Sequence, residues 1–259
     1  MRRLTKRLVQ GTLKRFNVAI TKYNKLQRLN EGISAIQDLT LIRSLPEDRV
    51  VPMLRVMDRS KSQSRQDLFA LAESGFKAGG YFVEFGATDG VTFSNTWLME
   101  KEFGWTGILA EPGRGWHGQL KKNRNCVIET DCVWRESGRS VTFNETAEGE
   151  FSAIDSFGSE HPNSKKRTNR YKVSTISLED LLRKYKAPQK IDYLSMDTEG
   201  SEYEILSAFN FDQYEFGVVT VEHDFGRKRA DLLRLLTSKG YTRKLEGVIG
   251  FDDWYVRTR

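Results

Sequence analysis

The 259-residue chain has two cysteines, three histidines and five prolines, and no acidic residue among its first thirty positions. Each scarcity excludes something. Cys126 and Cys132 have neither a C-x-x-C spacing nor a partnering histidine pattern, so they make no zinc site. Read as one strand, "CVIETDCVW" (126–134) holds them roughly 20 Å apart at ~3.3 Å per residue, too far for a disulfide. No stretch approaches the ~20 apolar residues of a membrane-spanning helix. No apolar run of about 7–15 residues follows the early arginines, as a secretory leader requires. These absences point to a cytoplasmic protein.

The net charge of +6 is a local feature. Nine Lys/Arg lie in residues 1–30, which leaves 32 basic against 35 acidic residues in the rest, a body of −3. A basic arm of this kind is a candidate contact for anionic lipid at a membrane surface, for polyanionic glycan or for nucleic acid, and a candidate element for homo-oligomerisation. The plainer reading is the solvated face of a helix. Residues 4–29 carry Leu4, Leu8, Leu13, Phe16 and Ile20 at helical spacing. Pro46 and Pro52 break any continuous helix through "SLPEDRVVPML". A mainly helical extension over 1–60 and one domain over 61–259 follow.

Beyond residue 61 a short helix around Asp67–Ala72 gives way to alternating strand and helix signals, which argue for βαβ units and a mainly parallel sheet. "YFVEFG" (81–86), "TGILAEP" (106–112), "CVIETDCVW", "IDYLSMD" (191–197) and "FGVVTVEHD" (216–224) read as five core strands. "GRSVTFNE" (138–145) alternates like an inserted antiparallel ribbon, and 146–170 reads as a polar loop, a substrate lid or a plain insertion. Ser177 with Asp180 marks a helix start, and Ser201-x-x-Glu204 has the capping-box pattern. "YTRKL" and "FDDWYVRTR" supply two closing strands.

The turn after the first strand places Glu84, Gly86, Ala87, Asp89 and Gly90 together. In an open α/β sheet, ligands sit outside the carboxyl ends of the strands at a topological switch point. G-x-x-x-G is neither the dinucleotide fingerprint nor a phosphate loop, which places a dehydrogenase last among the readings. Glu111, ending the second strand, suits the two hydroxyls of a ribose, and Asp131 suits an adenine amino group. A ribose acceptor without a pyrophosphate cradle points to S-adenosylmethionine, whose two cationic groups fit the acids Glu84 and Asp89.

"YFVEFGATDGVTFSNTWLMEKEFGWTGILAEP", "TDCV" and "IDYLSMDTEGSE" together resemble the FkbM-type S-adenosylmethionine-dependent methyltransferases, from about Ser62 to Glu222 and more loosely to the C-terminus. The lead-in "SQSRQDLF" belongs to the resemblance, with many relatives carrying glycine at the position of Arg65. The resemblance implies an α/β fold with a doubly wound, Rossmann-like class I methyltransferase sheet and an antiparallel last strand. It implies O-methylation of a sugar, glycan or polyketide hydroxyl. It also implies cofactor contacts at Glu84, Gly86, Ala87, Asp89, Gly90, Asn95, Thr96, Glu111, Asp131 and Cys132.

Methyl transfer to a weakly acidic hydroxyl needs a base or a metal. Asp197 and Glu199 end the fourth strand, and Glu222, His223 and Asp224 end the fifth. His223 is the candidate general base. Asp197, Glu222 and Asp224 form a candidate hard-oxygen site for Mg²⁺, Mn²⁺ or Ca²⁺. Glu202 and Glu204 are read as acids favouring a helix start. Trp116 and His117 are candidates to shape the acceptor pocket. Two rivals remain. A nucleic-acid methyltransferase would use the basic arm, but no two prolines adjoin, so the Asn/Asp-Pro-Pro-aromatic motif of exocyclic-amine methyltransferases is missing. A non-catalytic interaction module would keep the fold without the acids.

Overall fold

The computed structural model describes residues 23–146, 153–154, 167–223, 228–246 and 251–258. The chain divides into two compact units, residues 1–40 and 41–259. Helix α1 spans Tyr23–Ser44, so the expected helix over 4–29 is met from Tyr23 and otherwise falls on residues 1–22, outside the described ones. Residues 41–60 lie in the larger unit, where Met53 and Val56 are buried in its core.

Pro46 stands in extended conformation just before α2 (Glu47–Val56) and interrupts the helical run as expected. Pro52 does not: it sits inside α2. The carbonyl that loses its helical donor is four residues back, on the exposed Asp48, where water can replace the bond. Helix α3 (Gln66–Glu73) begins from Arg65, whose φ of 66° is left-handed. That backbone is the physical reason a glycine suits this position.

The central sheet has seven strands: β1 (Tyr81–Phe85), β2 (Thr106–Ala110), β3 (Val127–Glu129), β8 (Lys190–Met196), β9 (Glu215–Glu222), β10 (Tyr241–Lys244) and β11 (Asp252–Arg257). Their order is β10-β11-β9-β8-β1-β2-β3. Neighbours from β3 to β9 run parallel, and β11 runs antiparallel to both β9 and β10. The last strand is thus the antiparallel one, as expected.

Helices cover both faces. One face packs Leu181 and Leu182 of α6 (Leu178–Lys184), Ile205 and Leu206 of α7 (Glu202–Ser207), and Leu232 and Leu236 of α8 (Arg229–Ser238). The other packs α2, α3, Leu98 and Met99 of α4 (Trp97–Phe103) and Leu120 of α5 (His117–Asn123) against Phe82, Tyr193 and Trp254. Apolar strands buried on both faces are what a parallel sheet requires.

Three further expectations are corrected. "CVIETDCVW" is two strands in two sheets, β3 and β4 (Cys132–Trp134), because the Glu129 carboxylate accepts the backbone N–H groups of Thr130 and Asp131 and turns the chain out of the main sheet. Both cysteines are free. The ribbon is larger than expected: β5 (Ser140–Thr146) pairs with β7 (Arg167–Ser177) in a second sheet of order β4-β7-β5-β6, with β6 at Ala153–Ile154. Thr146 and Arg167–Arg170 therefore belong to strands, while 147–152 and 155–166 of the expected loop lie outside the described residues. Ser177 does cap α6, accepting from Asp180 N at 3.1 Å. The capping box at Ser201 does not form. The Ser201 hydroxyl donates to Thr198 at 2.7 Å, and Glu204 pairs instead with Lys228 at 3.3 Å.

The chain runs β1, β2, β3 to one side and returns to place β8 on the other side of β1, so the topological switch point lies between the ends of β1 and β8. There Gly86 has φ 76°, and a Cβ on it would overlap the carbonyl oxygen of Asp197. Gly86→Ala is expected to cost about 2–4 kcal/mol, the sum of strain and backbone displacement. Urea unfolding reads this directly, and an unchanged midpoint would show the approach to be slack.

Candidate functional site

Glu84, the penultimate residue of β1, is buried and organises the loop that follows. Its carboxylate accepts from Asn95 N at 2.7 Å, Thr96 Oγ1 at 2.5 Å and Ser94 Oγ at 3.1 Å. Burial pushes its carboxyl above the ordinary range, against the pull of the Arg124 guanidinium 3.7 Å away. Arg124 is itself fully buried, bonded to Glu100 at 2.7 Å, Ser94 Oγ at 3.0 Å, Thr96 Oγ1 at 2.9 Å and the Gly90 carbonyl at 3.1 Å. A Cβ on Gly90 would strike the Arg124 side chain, which is why glycine stands there. Asp89 closes the turn, its Oδ1 accepting from Val91 N at 2.8 Å and Thr92 N at 2.7 Å. Of the expected cofactor residues, Glu84, Asp89 and Thr96 are thus bound up in shaping the loop, and Ala87 is buried within it.

Glu111, just past β2, is buried with one bond on each oxygen, from Gly113 N at 2.6 Å and Thr88 N at 2.8 Å. A carboxylate has about four lone-pair sites, so two remain, the number that a vicinal diol fills. Burial raises its pKa to about 7, with the charges of Glu145 and Asp197 adding to the rise. His117 contacts the Glu111 carbonyl through Nε2 at 2.8 Å. Glu145, from the second sheet, accepts from Gly115 N at 2.9 Å and so ties that sheet to the β2–α5 loop. Asp131 is half-buried, set in place by the Glu129 turn, which Lys184 anchors at 2.6 Å. Cys132 is buried, and burial holds its thiol up at about 12.

At the ends of β8 and β9, oxygens of Asp197, Glu199 and Glu222 lie within 4.8 Å of one another. Burial raises the Glu222 carboxyl well above its usual value, reinforced by the charge of Asp197 and a hydrogen bond with it. Two carboxyls so placed share a proton. Glu199 occupies a left-handed φ of 57°. Glu202, read from sequence as a helix-dipole acid, is buried and folds the turn before it, accepting from Thr198 N and Thr198 Oγ1, both at 2.8 Å, and Gly200 N at 3.2 Å. Asn95 reaches the same rim, its Nδ2 donating to Ser195 Oγ at 2.9 Å while its buried Oδ1 makes no hydrogen bond among the described residues.

His223 stands apart from this cluster. Its side chain is 1% exposed and its Nε2 lies 3.8 Å from Asp253, a carboxylate also held by Arg229 at 2.8 Å and Arg243 at 3.3 Å. Burial pushes the Asp253 carboxyl up, but the Arg229 bonds and the positive charges around it win and hold it low. Asp224 lies outside the described residues. Sequence reasoning missed Arg124, Glu129 and Glu145. Arg124 resembles any exposed basic residue in "KKNRN" and carries no sequence signal of its buried role.

The model of the methyltransferase FkbM domain matches residues 84–243. The chain belongs to that family. Membership implies methyl transfer from S-adenosylmethionine. Among similar solved structures is a precorrin-6y C5,15-methyltransferase from Geobacter metallireducens GS-15, 10% identical with a TM-score of 0.42, the match covering 74% of this chain and 89% of that one. Another is a methyltransferase FkbM from Methylobacillus flagellatus KT, 12% identical with a TM-score of 0.42, covering 86% of this chain and 58% of that one. No curated protein matches the sequence. Among the described residues, no helix is long and apolar enough to cross a membrane.

Arg124→Ala would leave Glu84 and Glu100 without their shared cation, one of them fully buried. The expected loss is about 3–5 kcal/mol, read by urea unfolding. A loss below about 1 kcal/mol would show that the network is not what holds the loop.

Proposed function

We propose that this family member is an O-methyltransferase whose acceptor is a hydroxyl of a sugar or glycan. The observation that supports this most is the Asp197–Glu222 pair, two hydrogen-bonded carboxyls at the strand ends beside the switch point. S-adenosylmethionine supplies a methyl carbon on a sulfonium, which the acceptor oxygen displaces in line, leaving a neutral thioether. The acceptor hydroxyl must lose its proton as the new C–O bond forms. The ionised carboxylate of the pair accepts it as a general base. His223, buried against Asp253, is assigned to holding β9 and β11 rather than to this proton.

The lone-pair sites left on Glu111 fit the ribose diol, and the acids at the strand ends fit the cationic ammonium and sulfonium. Gly86 keeps the β1 end close against the β8 end, so that the donor and the acid pair share one rim. A metal-assisted variant rests on one observation, the cluster of Asp197, Glu199 and Glu222. Three hard carboxylate oxygens would hold Mg²⁺ or Mn²⁺ and lower the pKa of the acceptor hydroxyl. We assign residues 1–30 no catalytic part. Their nine basic side chains suit contact with a membrane surface or another polyanion.

A carboxyl raised in the folded state binds more protons folded than unfolded between its unfolded value of 4.5 and about 7. Ligand-free protein therefore loses stability through that window as pH rises. A ribose bonded to the ionised carboxylate has the opposite dependence: affinity for S-adenosylhomocysteine should rise up to about tenfold per pH unit below 7 and level off above it. Calorimetry across pH 5.5–8.5 checks this, and the slope should vanish in Glu111→Gln. A slope that persists in that variant would remove Glu111 from the ribose contact.

Transfer of a tritiated methyl group to glycans and nucleotide sugars tests the reaction. Asp197→Asn should lower kcat about a hundredfold or more with little change in S-adenosylhomocysteine affinity. Full activity after exhaustive EDTA would exclude the metal variant. Methylation of RNA or DNA in preference to every glycan would overturn the proposed acceptor class.

A further inference from the structure

Phe93 is the feature that neither the cofactor loop nor the acid pair explains. Its backbone φ is 57°, a left-handed conformation costly for a bulky residue, and its ring is 49% exposed. Both are unfavourable, and neither is an accident of a loose loop. On one side, the Asp89 carboxylate fixes Val91 and Thr92, and on the other, Glu84 fixes Ser94 and Asn95. A bridge to Ser62 ties down Phe93 itself. The backbone is over-determined, which is the condition for strain to persist at a functional site. Thr88 and Glu199, also non-glycine residues with positive φ, flank the same rim.

Phe93 stands at the mouth of a cleft of about 30 Å³, room for a hydroxyl rather than a sugar ring, lined also by Gln63, Asn95, Asp197, Glu222 and Phe251. An aromatic face thus stands at the same cleft as a hydrogen-bonding carboxyl pair and side-chain amides. That pairing matches a molecule with an apolar C–H face and a rim of hydroxyls, and the carboxylates repel anionic acceptors. A pyranose ring has this shape: its axial C–H bonds rest on the electron-rich face of an aromatic ring, leaving its hydroxyls to the polar groups.

We propose that Phe93 is the acceptor platform of the methyl-transfer site, stacking on the C–H face of a pyranose so that one ring hydroxyl meets the Asp197–Glu222 pair. This rests on the methyl-transfer reading above and assigns the acceptor side of that site. Phe93 is a specificity-determining residue here, with no part in the proton transfer.

The test is saturation-transfer NMR on the full chain with methyl glucopyranoside, mannopyranoside, galactopyranoside and rhamnopyranoside, with S-adenosylhomocysteine titrated into the same samples. The expected result is transfer to the ring C–H protons of one sugar face, weakened at least about tenfold in Phe93→Ala and kept in Phe93→Trp. Phe93→Gly, which relieves the backbone, should lose the pyranoside without lowering the melting temperature. Wild-type protein that binds the nucleoside but no pyranoside would overturn the platform. So would equal pyranoside binding by wild type and Phe93→Ala, or a Phe93→Gly variant that melts early, which would mark a structural role. Pyranoside binding without nucleoside binding would overturn the methyl-transfer reading and leave the platform standing.

Discussion

The candidate site depends on one buried ionic contact, Glu84 with Arg124. Taking two charges out of water is costly, and attraction alone does not offset it unless the remaining hydrogen-bonding capacity is also filled. Here it is filled, by Ser94, Asn95 and Thr96 on the acid and by Glu100, Ser94, Thr96 and the Gly90 carbonyl on the guanidinium. The consequence is a loop from residue 84 to 97 with little freedom. That loop carries the turn at Asp89, the ring of Phe93 and the amide of Asn95 to the end of β8. A rigid support of this kind is what positions reacting groups, and it explains why strained residues survive around it.

The fold supplies the second half of the arrangement. Because β8 returns beside β1, two loops of distant sequence meet, and Gly86 lets them meet closely. On the proposed reading the donor's nucleoside lies on the β1–β2 side, against Glu111. The proposed proton acceptor lies on the β8–β9 side, at the Asp197–Glu222 pair. The second sheet joins through Glu145, which supports the β2–α5 loop and adds negative charge near Glu111.

Much of this was legible in the chain. Apolar runs ending in an acid or a glycine marked the five parallel strands of the central sheet, and the positions of Glu84, Glu111, Asp197 and Glu222 at strand ends followed from them. What failed depended on partners far away in sequence. The break after Glu129 is stabilised by Lys184, 55 residues on, a partner that "CVIETDCVW" does not reveal. The capping box at Ser201 lost its members to Thr198 and Lys228. Local chemistry also overrode local rule at Pro52, where an exposed carbonyl made a proline tolerable within α2. The left-handed backbone of Phe93 has no signature in "VTFSN", because the Glu84 and Asp89 carboxylates that impose it act through the backbone rather than through any residue preference.

The central claim is spatial: donor and acid pair face one another across the switch point. A crystal structure with S-adenosylhomocysteine tests it most directly. The account predicts the ribose hydroxyls on Glu111 and the thioether sulfur turned toward Asp197 and Glu222. A nucleoside bound away from Glu111, or a sulfur directed away from that pair, would contradict it.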